Sequence, residues 1–586
     1  MQPDLPRPTY GSDLAIWMMR QMGIPYIALN TGSSFKWLQD SMVNYAGNRM
    51  PEIIQCTHEE ISVAIAHAYA KATGKLMLAA CHDVVGLQHA SMAMFNAYAD
   101  RAPVMVVGGT GPMDATQRRP AIDTLHTALV QGDLVRGYVK WDDQPSSVAA
   151  IPDSFLHGYN SAMMQPQGPV YICYDATLQA QLVGEKLELP ALGHYAAPTL
   201  LGPDQEAIRM LARWLVDAEK PLVVADYAGQ LPQTVEALIE LAELLALPVA
   251  DRGGRFNFPN THPLDITGRE VDMMKDCDVV LALESRDLWG LFHARTPAQM
   301  QEQSFASPSC KIASISLWDL RGGGWAQDYQ RPTPVDLNIA ADTAVALPML
   351  VEECRKILAR RSRAKYERRA DAIRQTHQET KQRWQQEVKK DWNSSPIASG
   401  RLAVEIWDVI KNDDWVLGSG GLGGWNRRLW DFTKHEQYIG GSGGLGLGYG
   451  YSAALGAALA HRGEDKLILN IQSDGDLMYT PGALWTAAHH KLPVFTIMFN
   501  NRNLFNSDEH ARLVANERSR PAENRSVGVA MRNPDISYAK LAEAQGVYGI
   551  GPVEKPEQIA PALQRALKYI KDERKPVLVD VVCQDR

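Results

Sequence analysis

Asp474 and Asn501 are the two residues whose types and setting most directly suggest chemistry. Asp474 opens Asp474-Gly475-Asp476 after the apolar run KLILNIQS, and Asn501 closes Asn500-Asn501 after VFTIMF. Two such runs, separated by a helix-patterned segment, read as adjacent parallel strands, so their carboxyl ends lie side by side. The carboxylate and the amide then converge although 27 residues separate them. Magnesium takes hard oxygen ligands of this kind and shares its remaining positions with phosphate oxygens. A backbone carbonyl nearby, that of Asn503, completes the expected set. Gly475 lets the chain approach a phosphate closely, and the start of the following helix favours negative charge. Taken alone, Asp474 and Asp476 also read as turn and N-cap residues; the matching strand, helix and strand ending in Asn500-Asn501 tip the reading towards a cation.

A second acid stands in IIQCTHEEISVAIAHAYAKATGK, where a strand runs into an apolar helix with Glu59 in its first turn. Apolar surroundings disfavour the ionised form and prepare a carboxyl to hold and pass a proton. The helix dipole alone also favours acids at this position. Glu60 is expected to fill that surface role while Glu59 points inward.

Positioning these groups requires a particular scaffold. Short apolar runs alternate with longer segments of helical period, which predicts parallel α/β units. PYIALN, PEIIQCT, KLMLAAC, PVMVVGG and PVYICYD read as strands of the first third. PLVVADYAG, CDVVLALES and CKIASISLWD serve the middle, and DWVLGSGG, DKLILNIQSDGD, VFTIMFNN and KPVLVDVVC the last. The segment from Glu59 to Lys75 reads as a buried helix ended by Gly74. A length of 586 residues fits about three domains of ~150–200 residues. The expected division is 1–185, 200–355, a charged helical connector over 356–395, and 396–586. Each domain is expected to be a doubly wound parallel sheet, with ligands outside the carboxyl ends of its strands.

Composition narrows the function classes. The formal net charge is −8 and the basic residues are scattered, which disfavours a nucleic-acid partner. No apolar run approaches the ~20 residues that span a bilayer, and the first residues lack a signal-peptide layout. Seven cysteines without C-x-x-C spacing read as reduced thiols of a cytoplasmic protein.

The Ser473–Asp476 and Asn500-Asn501 block resembles the diphosphate-binding signature of thiamine-diphosphate-dependent enzymes, where Gly-Asp-Gly precedes Asn-Asn at nearly this distance. Ser473 replaces the first glycine. His58-Glu59 followed by AHAYAKATGK is similar to the pyrimidine-binding helix of the acetolactate synthase, benzoylformate decarboxylase and pyruvate oxidase group. The resemblance implies thiamine diphosphate and magnesium as cofactors, with Glu59 activating the aminopyrimidine. It implies that Leu447 in GGSGGLGLGYG bends the cofactor, that the Leu445 carbonyl accepts from its amino group, and that Gly475 and Asp476 flank the diphosphate. Gly421 and Leu422 in GSGGLGGW would offer backbone amides to the diphosphate. Ser33 in TGSSF and His82 in CHDVVGLQHA stand where benzoylformate decarboxylase carries a substrate-binding serine and an active-site histidine. His82 reads equally as a proton donor or as a satisfied structural histidine, while His89 reads as structural and His293 as a surface residue rather than one facing the cleft.

What the resemblance implies about activity is a 2-oxo acid decarboxylase or carboligase acting on a small carbonyl substrate. A lyase or hydrolase of a diketone or 2-hydroxyacyl thioester is the second enzyme reading. A non-catalytic cofactor-binding homologue is a third, although it would have no need to keep Glu59. DITGREVDMMKD stands in place of the flavin-clasping run of acetolactate synthases, and Thr110 in place of their glutamine, so FAD is disfavoured. A homodimer or homotetramer is implied, with Glu59 meeting cofactor bound by another copy.

Overall fold

A computed structural model describes residues 5–195, 198–294, 301–320, 331–359 and 361–585. The apolar runs form three sheets in which every strand pairing is parallel. In the first sheet, β1 (Tyr26–Leu29), β2 (Glu52–Gln55), β3 (Met77–Cys81), β4 (Val104–Thr110), β5 (Trp141–Asp143) and β6 (Val170–Asp175) lie in the order β2-β1-β3-β4-β6-β5. The second contains β7 (Pro221–Ala225), β8 (Val249–Asp251), β9 (Val279–Leu283), β10 (Lys311–Ile315) and β11 (Leu337–Ile339), ordered β11-β10-β9-β7-β8. The third contains β12 (Trp415–Ser419), β13 (Leu467–Ser473), β14 (Val494–Asn500), β15 (Tyr548–Val553) and β16 (Val577–Val582), ordered β12-β13-β14-β16-β15.

The inner strands β3, β4, β6, β7, β9, β14 and β16 are buried along their whole length. Burial on both faces demands continuous apolar sequence, which is why they read so clearly. The strands that the sequence patterns do not announce, β5, β8, β11 and β15, each end a sheet. An edge strand pairs on one side only, and β5, β11 and β15 are partly exposed, so their sequence need not be uniformly apolar.

The chain divides into two compact units. One comprises residues 1–198, 391–426 and 441–586; the other comprises 199–390 and 427–440. The charged segment expected as a solvated connector forms the helix Ala364–Val388 within the second unit. Its Tyr366, Ile373, Thr380, Trp384 and Val388 are buried, and the Tyr366 hydroxyl donates to the Val216 carbonyl at 2.9 Å. Its apolar side chains thus join a core, while the charges cover the opposite face.

Within the first unit, the helix Glu59–Thr73 packs against the helix Gly450–Ala460. This brings the end of β2 and the start of Glu59–Thr73 to the turn that precedes Gly450. The contact forms within one chain.

Candidate functional site

β13 and β14 pair with Ser473 opposite Phe499, so Asp474 and Asn501 emerge from the same end of adjacent strands. Asp474 is 1% exposed, Asn501 4% and Asn503 7%. Asp474 Oδ1 accepts from the Gly475 amide at 2.9 Å, and the main-chain N–H groups of Arg502 and Asn503 also face this carboxylate. Burial nevertheless pushes its carboxyl up to about 6, against the opposing pull of those donors. The neighbouring Asn500 is tied to the sheet through Nδ2, which donates to Asp580 on β16 at 2.9 Å, while its Oδ1 is buried without a partner among the described residues. Asn501 and Asn503 both direct Nδ2 to Asp585, at 3.2 and 3.3 Å.

Oxygens remain for a cation. Asp474 Oδ2 and Asn503 Oδ1 are buried without a hydrogen-bond partner among the described residues. Leaving such groups unsatisfied costs about 1–3 kcal/mol each, a cost that a hard cation would relieve. The donor set is all oxygen, as magnesium prefers. The residues present therefore fit magnesium holding a diphosphate.

The helix expected after Asp474 is interrupted: a single turn, Asp474–Leu477, is followed by Ala483–His489. Asp476 in that turn accepts from the amides of Gly448 at 2.8 Å and Gly450 at 3.0 Å, and from Gln472 Nε2 at 2.7 Å. It therefore clamps the 445–450 turn to the end of β13. Asn96 grips the same turn from the other side, accepting from the Gly446 amide at 3.0 Å and donating to its carbonyl at 3.2 Å. Thr480 adds a bond to the Gly448 carbonyl at 2.8 Å. The result is a pinned turn that presents Leu445 and Leu447 outward, 86% and 38% exposed. The Gly475 position is occupied from one side by Leu504, which a side chain there would strike. Gly421 and Leu422 lie in the loop after β12, and the Leu422 amide faces Asn426 Oδ1 at 3.5 Å. A bond this long is at the outer limit and is readily exchanged for a better acceptor.

Glu59 is 5% exposed at the first turn of its helix. The helix is started by His58, whose Nδ1 accepts from the Glu60 amide at 3.1 Å. The Glu59 carboxylate rests on Gly86, where a side chain would strike it. Gly86 belongs to the helix Asp83–Ala99, capped by His82. Glu59 and His82 therefore flank the first turn of one helix. His58 Nε2 lies 2.9 Å from His89 Nδ1, and both rings stand beside Glu59. His89, read above as structural, belongs to the site's surroundings.

One expectation needs correction. Glu60 is not a surface acid; it is 9% exposed, and a side chain at Gly448 would run into its carboxylate. Burial, reinforced by the nearby charge of Asp476, raises its carboxyl to about 7. On the other side, the serine that touches His82 is Ser34, whose Oγ lies 2.8 Å from His82 Nδ1. Ser33 and Ser34 both line a cavity of about 130 Å³ with Lys36, Trp37, Gln117 and Arg119. Ser34 is buried in the short turn Ser33–Phe35, and nothing in Ser-Ser says which of the two will touch His82. His82 also lies 3.6 Å from the buried Asp83 carboxylate, and its ring meets that of His126 edge to face at 5.5 Å. His126 had no sequence signal. His293 is closed off: its Nδ1 lies 2.7 Å from the Trp289 carbonyl and its ring stacks on the Trp289 indole. All seven cysteines are free and buried, and no described helix is long and apolar enough to cross a membrane.

Comparison with known proteins agrees with this geometry. Residues 9–133 match the N-terminal TPP-binding domain of thiamine pyrophosphate enzymes, and residues 418–581 match the C-terminal TPP-binding domain. A probable acetolactate synthase large subunit of Methanocaldococcus jannaschii is 25% identical, with 90% of this chain and 84% of that protein covered. The acetolactate synthase isozyme 3 large subunit of Escherichia coli is 24% identical, with 97% and 94% covered. Among solved structures, benzoylformate decarboxylase from Polynucleobacter necessarius superposes with a TM-score of 0.75 at 17% identity, covering 99% of both chains. That likeness speaks to the fold.

Proposed function

Since the chain is a thiamine-pyrophosphate-dependent enzyme of the acetolactate synthase and decarboxylase family, we propose that it is a 2-oxo acid decarboxylase or carboligase, making or breaking the carbon–carbon bond beside a carbonyl. The observation that carries the cofactor assignment is the buried Asp474 oxygen without a partner among the described residues at the end of β13, beside the end of β14. In this reading Asp474, Asn501 and the Asn503 carbonyl would hold magnesium and, through it, the diphosphate. The amides of Gly421 and Leu422 serve the diphosphate, beside Gly475.

When bound, the cofactor supplies an electron sink for the bond that breaks next to the carbonyl. The chain's own residues bind it, orient it and handle protons. Glu59, enclosed at the start of its helix, holds a proton at the aminopyrimidine nitrogen. Asp476 and Asn96 keep the turn of Leu445 and Leu447 in place, where the Leu445 carbonyl and the Leu447 side chain would hold the cofactor's ring. His82 has Nδ1 occupied by Ser34, which leaves Nε2 to bond the substrate or hand it a proton. Ser33 and its cavity lie at the carboxyl end of the first sheet, where substrates of such folds bind. The exposure of Leu445 and Leu447 supports a face completed by cofactor and by a second copy of the chain, in a homodimer or homotetramer.

The test is a screen of 2-oxo acids and 2-hydroxy ketones with thiamine diphosphate and magnesium, following carbon dioxide. Release from one or more 2-oxo acids is expected. Cleavage of diketones or 2-hydroxyacyl thioesters with no carbon dioxide from any acid would reject the decarboxylase reading.

A further inference from the structure

The side chain that joins Asn501 to Asn503 comes from outside the loop that carries them. β16 runs beside β14 with Val582 opposite Asn500. The chain then continues in the same direction: the Cys583 amide donates to the Asn500 carbonyl at 2.9 Å, and the Gln584 amide to the Ile397 carbonyl at 2.9 Å. This extension delivers Asp585 to the loop after β14. There one oxygen, Oδ1, accepts from Asn501 Nδ2 at 3.2 Å and from Asn503 Nδ2 at 3.3 Å.

A primary amide carries its donors on nitrogen and its lone pairs on oxygen, on the two arms of one planar group. An acceptor that holds Nδ2 therefore decides where Oδ1 points. Without it, either arm can face the cation, and the NH2 arm repels it. Asn503 Oδ1 is buried and without a partner, in the loop whose amides face Asp474. We propose that Asp585 is a positioning residue of the cation site: it holds both asparagine side chains by their nitrogen arms, turning the Asn501 side-chain oxygen towards the cation and fixing the loop that carries the Asn503 main-chain carbonyl. The inference rests on the cation site assigned above. It gives a role to a side chain that no motif marks, through the kind of outer contact that fixes metal ligands elsewhere.

Asp585 is itself exposed, so its replacement leaves the packed core intact. The test is calorimetric titration of magnesium into the full chain with thiamine diphosphate present, comparing wild type, Asp585→Ala, Asp585→Asn and Asp474→Ala. Asp585→Ala is expected to weaken magnesium binding about 10- to 100-fold, with the thermal unfolding midpoint in EDTA unchanged. Asp585→Asn keeps an acceptor oxygen and should recover most of the lost affinity. Wild-type affinity in Asp585→Ala, with binding lost in Asp474→Ala, would overturn the positioning role alone. An Asp585→Asn variant as weak as Asp585→Ala would overturn it too, because charge rather than orientation would then be the cause. Undiminished binding in Asp474→Ala would remove the site assignment and this inference with it.

Discussion

Replacing Glu60 by glutamine should change the pH dependence of stability in a direction opposite to that of most acids. Glu60 is buried between the Gly448 turn and Asp476, and its carboxyl is raised from an ordinary 4.5 to about 7. The folded chain therefore keeps this proton at pH values where the unfolded chain has released it. The stability it contributes is complete below about pH 4.5 and is lost as pH rises through about 7. At about 1.4 kcal/mol per pH unit, the loss is on the order of 3 kcal/mol. Glutamine has nearly the same shape and no charge to bury, so Glu60→Gln should escape that loss. Thermal or urea denaturation in EDTA, at steps from pH 5 to pH 8, measures it. The two proteins should be similar at pH 5, and the variant should be more stable by on the order of 3 kcal/mol at pH 8. Parallel profiles, or a variant weaker at pH 8 than wild type, would refute the argument that burial holds Glu60 protonated.

Other substitutions separate binding from chemistry. Glu59→Gln should bind thiamine diphosphate like wild type yet lose activity by about 10²- to 10⁴-fold, the usual weight of a proton-transfer group; full turnover would reject its role. His82→Ala should lower kcat/KM for the best 2-oxo acid by at least about 10²-fold with cofactor affinity intact, whereas unchanged kinetics would mark it as structural. Asp476→Ala strands the amides of Gly448 and Gly450 and should cost at least about 2 kcal/mol of stability, read as a lowered unfolding midpoint.

Much of the scaffold is legible in the sequence because parallel strands buried on both faces must be apolar throughout. Asp474 and Asn501 are legible for the same reason: each follows directly on such a run, so the register of β13 and β14 carries them to one place. What escapes reading depends on contacts between distant segments. Asp585 reaches Asn501 across 84 residues, and Asn96 reaches Gly446 across 350; neither has a motif of its own. Glu60 departs from its expected surface role because the helix Gly450–Ala460 and its preceding turn cover the start of Glu59–Thr73, which no local pattern reveals. The charged helix Ala364–Val388 misleads for a related reason, since five buried residues suffice to dock a helix whose overall character is polar.

The most direct measurement is a crystal structure of the chain with thiamine diphosphate and manganese in place of magnesium, read by the metal's anomalous scattering. A single strong peak is predicted at the ends of β13 and β14, about 2 Å from oxygens of Asp474, Asn501 and the Asn503 main chain, with the diphosphate completing its shell. A metal bound elsewhere, or a diphosphate seated with no metal between Asp474 and Asn501, would contradict the account.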